Sequence, residues 1–297
     1  MKTFILLYQH LKTYVLAATI PAILFACDKQ ELETITAKQT GIDNLRIRKN
    51  LLVEGTFETK DMSQFDRFEG ASHELVVQHR FYRSYPNSIR VEVNSNENNI
   101  GGKGWRAELV QYDAGGPNKD KERWFGFSIR VPEDWRVIDS TKSTDIFLQI
   151  HDRPDPCETY RTPPLALLID QNKFTALAYS DSNPCSANVY PRGKGTTRQT
   201  VMEQPLIKGK WVDWVIHVKW SYKNDGLLEI WQDGRKVTTY KGPIGYNDTK
   251  SMYLKTGLYH ISNGDGWPKG LKRRVLYYDD IRMGNQQASY ADVKPFK

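Results

Sequence analysis

Three short runs in this 297-residue chain carry side chains that could do chemistry together. In Phe147-Leu148-Gln149-Ile150-His151, strand alternation puts Gln149 and His151 on one face and Leu148 and Ile150 on the other. An amide there can hydrogen-bond a carboxyl group, and an imidazole beside it can move a proton. In Tyr253-Leu254-Lys255-Thr256-Gly257-Leu258-Tyr259-His260, the same rule groups Tyr253, Lys255, Gly257 and Tyr259. Gly257 is expected to leave room for a ligand between Lys255 and Tyr259. In Trp105-Arg106-Ala107-Glu108-Leu109, Arg106 shares a face with Glu108, so a guanidinium able to fork onto a carboxylate has a partner to hold it. Each run has a plain alternative: a surface histidine, aromatic cross-strand packing, an exposed salt bridge of little worth. All three on one sheet would supply what cleavage of a polyuronate needs.

Taken in order, Arg106-Ala107-Glu108-Leu109, Gln149-Ile150-His151 and Tyr253 to Tyr259 resemble the jelly-roll polysaccharide lyases. That group includes alginate lyases, heparin lyases of the heparinase I type and glucuronan lyases. Gln149 to Asp155 and the segment Tyr277-Tyr278-Asp279-Asp280-Ile281-Arg282-Met283-Gly284 are more similar to the heparin-lyase-like branch. His260 departs from the alginate pattern, and no dense Lys/Arg block suits heavy sulfation, so a glucuronan- or glycosaminoglycan-like uronate polymer fits.

The resemblance implies β-elimination, which removes the proton on C5 of a uronate and expels the 4-linked sugar. Gln149 and Arg106 would neutralise the carboxylate and stabilise the enolate-like intermediate. His151 would be the base and Tyr259 the acid where proton and leaving oxygen lie on opposite faces. Where they share a face, Tyr259 would do both. Lys255, Glu108, Arg90 and Arg153 are expected substrate contacts. Trp267, in the loop around Gly266, is expected to stack on a sugar or cap the site, or else to anchor the loop. Glu54, Asp279 and Asp280 could join the first and last strands through a structural calcium ion; the chemistry itself requires no cofactor.

The elements that must position these residues read as strands. Ile89, Val91 and Val93 alternate with polar residues, as do Phe125 to Val131 and Val212 to Trp220. Leu227 to Gln232 meets Asp233-Gly234, a strong hairpin signal, before Lys236 to Tyr240. Many such strands without long helical periods predict an all-β jelly roll, a concanavalin-like sandwich of two antiparallel sheets, over 49–297. No internal repeat and no dividing linker follows residue 50.

Residues 1–26 read as an export signal ending in Leu24-Phe25-Ala26-Cys27, which resembles a bacterial lipoprotein signal with Cys27 as the lipidated residue. Residues 27–48 are polar and read as a tether. This predicts an outer-membrane or cell-surface lipoprotein held by its lipid, or else a periplasmic or secreted protein, working as a monomer. With Cys27 acylated or lost, Cys157 and Cys185 remain and are expected to pair in an oxidising compartment, the alternative being two free thiols. The formal charge is +7, and +5 without the two signal lysines, a balance that suits an acidic polysaccharide. No basic block or reading helix supports nucleic acid as partner. Two rivals remain at this stage: a non-catalytic glycan-binding surface lipoprotein, and a glycoside hydrolase on the same scaffold, which would need two acids facing the cleft.

Overall fold

Period-two alternation makes each strand two-faced, and two such sheets bury their apolar faces against each other. The computed structural model describes residues 49–71, 73–84, 86–97, 104–138, 143–186, 195–262 and 266–296. The export signal, Cys27 and the tether lie outside these residues. Among those described, no helix is long and apolar enough to cross a membrane.

The first sheet runs β13 (Arg235–Lys241), β12 (Leu227–Gln232), β11 (Trp211–Lys219), β6 (Glu122–Arg130), β16 (Arg273–Gly284), β4 (Ser88–Asn94) and β3 (Leu75–Gln78), with β1 (Leu51–Gly55) also paired to β16. The second runs β10 (Thr197–Pro205), β9 (Lys173–Asp181), β8 (Leu165–Asp170), β7 (Ser143–His151), β15 (Tyr253–Ser262), β5 (Gly104–Gln111) and β2 (Arg67–Glu69). The short β14 (Gly245–Tyr246) pairs parallel to β9; among the described residues the other pairings between these strands are antiparallel. One short helix, α1 (Tyr290–Val293), follows β16. The expected jelly-roll sandwich is the observed fold.

The core lies between the sheets. Phe125, Phe127 and Ile129 of β6 meet Val212, Trp214, Ile216 and Val218 of β11, all essentially fully buried. The Asp233-Gly234 hairpin turn forms as expected, with both residues at positive φ.

Two irregularities interrupt the second sheet. Between Ile146 and Leu148, β7 spends two steps against one on β8, so Phe147 is the extra residue. Between Thr256 and Tyr259, β15 gains one residue on β7. An inserted residue reverses which face the following side chains occupy. Thr144 and Ile146 therefore share the outer face with Gln149 and His151, while Phe147 and Leu148 both enter the core. Tyr278 of β16 reaches across the core, its Oη 2.8 Å from the Phe147 carbonyl and bonded also to the Gly257 carbonyl. Its one hydroxyl ties down both irregular points.

Candidate active site

The outer face of the second sheet holds a cleft of about 700 Å³. Arg106, Gln149, His151, Lys255 and Tyr259 all line it, so β5, β7 and β15 bring the three sequence runs to one place. β15 is the centre, hydrogen-bonded to β5 on one side and β7 on the other.

Beneath the cleft lies Glu108, with only 1% of its surface exposed. Its Oε1 accepts from Gln149 Nε2 at 2.6 Å, and its Oε2 sits 2.9 Å from Arg106 Nε and 3.8 Å from Lys255 Nζ. A carboxylate can only accept, so it turns the Gln149 amide nitrogen toward itself and leaves the second amide hydrogen for a ligand. Glu108 was expected to touch substrate; it is instead the buried post that holds the groups above it.

Glu69, at the end of the three-residue β2, was not foreseen. Its Oε2 lies 2.6 Å from both Arg106 Nη1 and Lys255 Nζ. Burial pushes its carboxyl upward, but the hydrogen bond and charge of Lys255 and the charge of Arg106 outweigh this and hold it below the usual range. For Arg106, burial pulls downward, yet Glu108, Glu69 and Tyr259 keep it raised, so it stays a cation. Its guanidinium stands 4.4 Å from the centre of the Tyr259 ring.

His151 is held from behind. Its Nδ1 lies 2.8 Å from Oδ1 of the fully buried Asp152 and 3.2 Å from that residue's carbonyl. With Nδ1 so engaged, Nε2 is the nitrogen left for the cleft. The imidazole lies parallel to Tyr253, centroids 5.5 Å apart, and meets the edge of Tyr160 at 5.8 Å. Burial above all, then Tyr160, Glu69 and Asp152, raises the Tyr253 phenol well above its ordinary value, so it stays protonated.

Asp152 belongs to a larger buried group. Arg161 faces Asp248 at 2.6 Å, Glu158 at 3.2 Å, Asp152 at 3.5 Å and Asp181 at 3.9 Å. The Cys157–Cys185 disulfide forms as expected and ties this loop to the end of β9, where the Ser186 amide donates to Glu158.

Several expected contacts fall elsewhere. Arg90 lies on β4 of the other sheet, paired with Glu92. Arg153 stacks its guanidinium 5.5 Å from the Tyr112 ring, outside the cleft lining. Trp267 packs 4.8 Å from Trp105 and 4.6 Å from His260, and its Nε1 donates to the Leu271 carbonyl, so it anchors its loop on the core side. Gly257 makes room for protein rather than ligand: a Cβ there would meet the Ala107 carbonyl at 2.2 Å. Glu54, Asp279 and Asp280 form no cation cage among the described residues. Glu54 and Asp280 face Arg282, and Asp279 accepts from the Arg83, Ser84 and Asp280 amides.

Comparison with known proteins agrees with the geometry. The profile of the polysaccharide lyase family matches residues 57–282, and the chain belongs to that family: it is a lyase acting on polysaccharides. An endo-β-1,4-glucuronan lyase from the fungus Trichoderma reesei superposes with a TM-score of 0.67 at 19% identity, over 83% of this chain and 99% of that one. An alginate lyase solved with an alginate trisaccharide gives 0.50 at 14% identity, over 79% of this chain and 98% of that one. The catalytic domain of a glycoside hydrolase family 131 protein from Coprinopsis cinerea also gives 0.50, at 11% identity, over 83% of this chain and 98% of that one. These likenesses show the shared sandwich. No curated protein matches the sequence.

Proposed function

We propose that this lyase cleaves a uronate-containing acidic glycan of the glucuronan or glycosaminoglycan kind by β-elimination. The observation that carries the reading is the meeting of Arg106, Gln149, His151 and Tyr259 in one cleft. The uronate carboxylate approaches Arg106, Lys255 and the free amide hydrogen of Gln149. Charge on it is then offset as the C5–H bond breaks and the enolate-like intermediate forms. For glucuronate, where proton and leaving oxygen share a face, Tyr259, its hydroxyl proton already given up, takes the C5 proton as phenolate and passes it to the departing C4 oxygen as the C4–O bond breaks, which leaves the phenolate again. The Arg106 guanidinium at its ring favours the phenolate that this step starts from and returns to. His151, fixed by Asp152, polarises that hydroxyl; for the opposite epimer His151 is the base and Tyr259 the acid. The products are a 4,5-unsaturated uronate end and a new hydroxyl-bearing chain end.

The charge state of the cleft argues against the hydrolase rival. Hydrolysis needs one carboxyl kept protonated as acid. The cleft carboxylate Glu69 is instead held ionised by two cations. The test is a screen of uronate polymers read by ultraviolet absorbance of the conjugated product. Tyr259→Phe is expected to lower turnover by at least about 100-fold while binding is kept. Normal turnover in that variant would overturn the assignment, and polymer binding without any product in the wild type would favour the binding-protein reading.

We also propose export as a monomeric lipoprotein acylated at Cys27, on the motif Leu24-Phe25-Ala26-Cys27. Loss of membrane association in Cys27→Ser tests it.

A further inference from the structure

The outer face of the first sheet, on the far side of the sandwich from the cleft, carries a second cavity of about 640 Å³. Its floor is one row across three neighbouring strands: Arg90 of β4, Tyr277 of β16 and Arg130 of β6 stand opposite one another in register. Phe81 lies edge-on to Tyr277 at 5.0 Å and takes the Arg130 guanidinium at 4.7 Å and that of Arg80 at 5.2 Å. Arg136, Lys272 and Arg273 close one end.

The cations of the groove outnumber its carboxylates. Glu92 is shared between Arg90 and Arg273, the latter at 3.7 Å. Arg130 and Arg136 spend donors on the Gly209 and Lys269 carbonyls, which leaves their charge intact. Two carboxylates, Glu133 and Asp134, lie on the rim. A small anion would need one cation. Here the cations flank an aromatic floor and span two strand spacings, roughly 10 Å, which fits an extended anion that also offers a flat apolar face. A sugar chain bearing carboxylates has both: its C–H faces stack on aromatic rings, and its acid groups take the guanidinium fork.

We propose that this groove is a second, non-catalytic binding site for the acidic polysaccharide. It rests on the reading that the substrate is a polyuronate. Because the sandwich separates groove from cleft, one short oligosaccharide cannot occupy both. The groove therefore tethers long polymer and raises its local concentration without taking part in cleavage.

The test uses the full chain with Arg80→Gln, Lys272→Gln and Arg273→Gln combined, all three exposed. Binding is measured by calorimetry and by retardation in gels containing polyglucuronate, in a Tyr259→Phe background so that the polymer survives. Cleavage of a short glucuronate oligosaccharide is measured in the otherwise wild-type background. Affinity for long polymer is expected to fall at least about tenfold, with a shallower salt dependence, while the oligosaccharide is cleaved at the wild-type rate. Undiminished polymer affinity in the triple variant overturns the second site and leaves the cleft assignment standing. Loss of binding to phosphatidylglycerol vesicles with no loss on polyglucuronate also overturns it, making the face a membrane contact. A wild-type protein that neither binds nor cleaves any uronate polymer overturns the functional reading itself.

Discussion

In the reaction proposed above, Glu69 stands where the uronate carboxylate enters, with one oxygen 2.6 Å from Arg106 and 2.6 Å from Lys255. Before substrate arrives, Arg106 and Lys255 face two carboxylates, Glu69 and Glu108, and Arg67 holds the other Glu69 oxygen at 2.9 Å. Substrate must therefore compete with Glu69 for the same donors. Glu69→Gln is expected to tighten binding of a uronate oligosaccharide by about fivefold, on the order of 1 kcal/mol for a partly exposed pair. Calorimetry decides: weaker binding would mean that Glu69 holds the cations in place for substrate rather than competing with it. Asp152 acts on the other reacting group. Asp152→Asn replaces the charged carboxylate that sets His151 with a neutral amide and is expected to lower kcat by between about 10- and 100-fold, with KM little changed, provided melting shows the fold intact. Gln149 and His151 were legible because two residues apart on a strand fixes a shared face. Glu69 was not, since it lies 186 residues from its partner Lys255 and on a strand of only three residues. Asp152 was hidden differently: alternation sends it to the buried side, yet its carboxyl turns back to the imidazole of its own neighbour.

Strands carry these side chains only if register holds, and two places fix it. At Gly257, φ is +150° and a Cβ would strike the Ala107 carbonyl, so β5 and β15 approach there as no other residue allows. The next pair on the same face is Tyr259 opposite Arg106, which is the cation over the phenol. Gly257→Ala is therefore expected to cost about 1–3 kcal/mol and to lower the melting temperature by several degrees. It should also depress kcat more than KM, because it moves Arg106 relative to Tyr259. Full activity in a folded variant would show that this approach is structural alone. The regular strands could be read from alternation, and the hairpin from Asp233-Gly234. The irregularity at Phe147 could not, because alternation is intact on either side of it and the reversal shows only when Ile146 and Gln149 are compared. The adjacent apolar pair Phe147-Leu148 is its trace, but two apolar neighbours also fit an ordinary buried strand. Gly257 was noticed as a point of close approach, with the wrong occupant assigned.

Charge is the property that sequence gives as a total and the folded molecule distributes. The net positive balance resolves into a candidate cleft where Glu69 and Glu108 offset part of the charge, a basic groove on the opposite sheet and, behind His151, a buried group with four carboxylates around Arg161. That last group makes stability depend on pH with a definite sign. Burial first, with Asp152 and Glu158 adding and Arg161 opposing, pushes the Asp248 carboxyl up to about 7. A carboxyl raised in the fold holds its proton better there than in the unfolded chain, whose value is 3.8. Its contribution is complete below that lower value and is lost as pH rises through about 7. Asparagine keeps the neutral shape at every pH. Asp248→Asn should therefore gain on the wild type as pH rises from 5 to 8, by on the order of 1–2 kcal/mol or a few degrees in melting temperature. Melting both proteins across that range separates Asp248 and the carboxylates it touches from the more distant titrations, which are common to the pair. A variant that instead loses ground with rising pH would mean that Arg161 draws Asp248 into its charged form. The salt bridge, not the shared desolvation, would then set the charge beside His151.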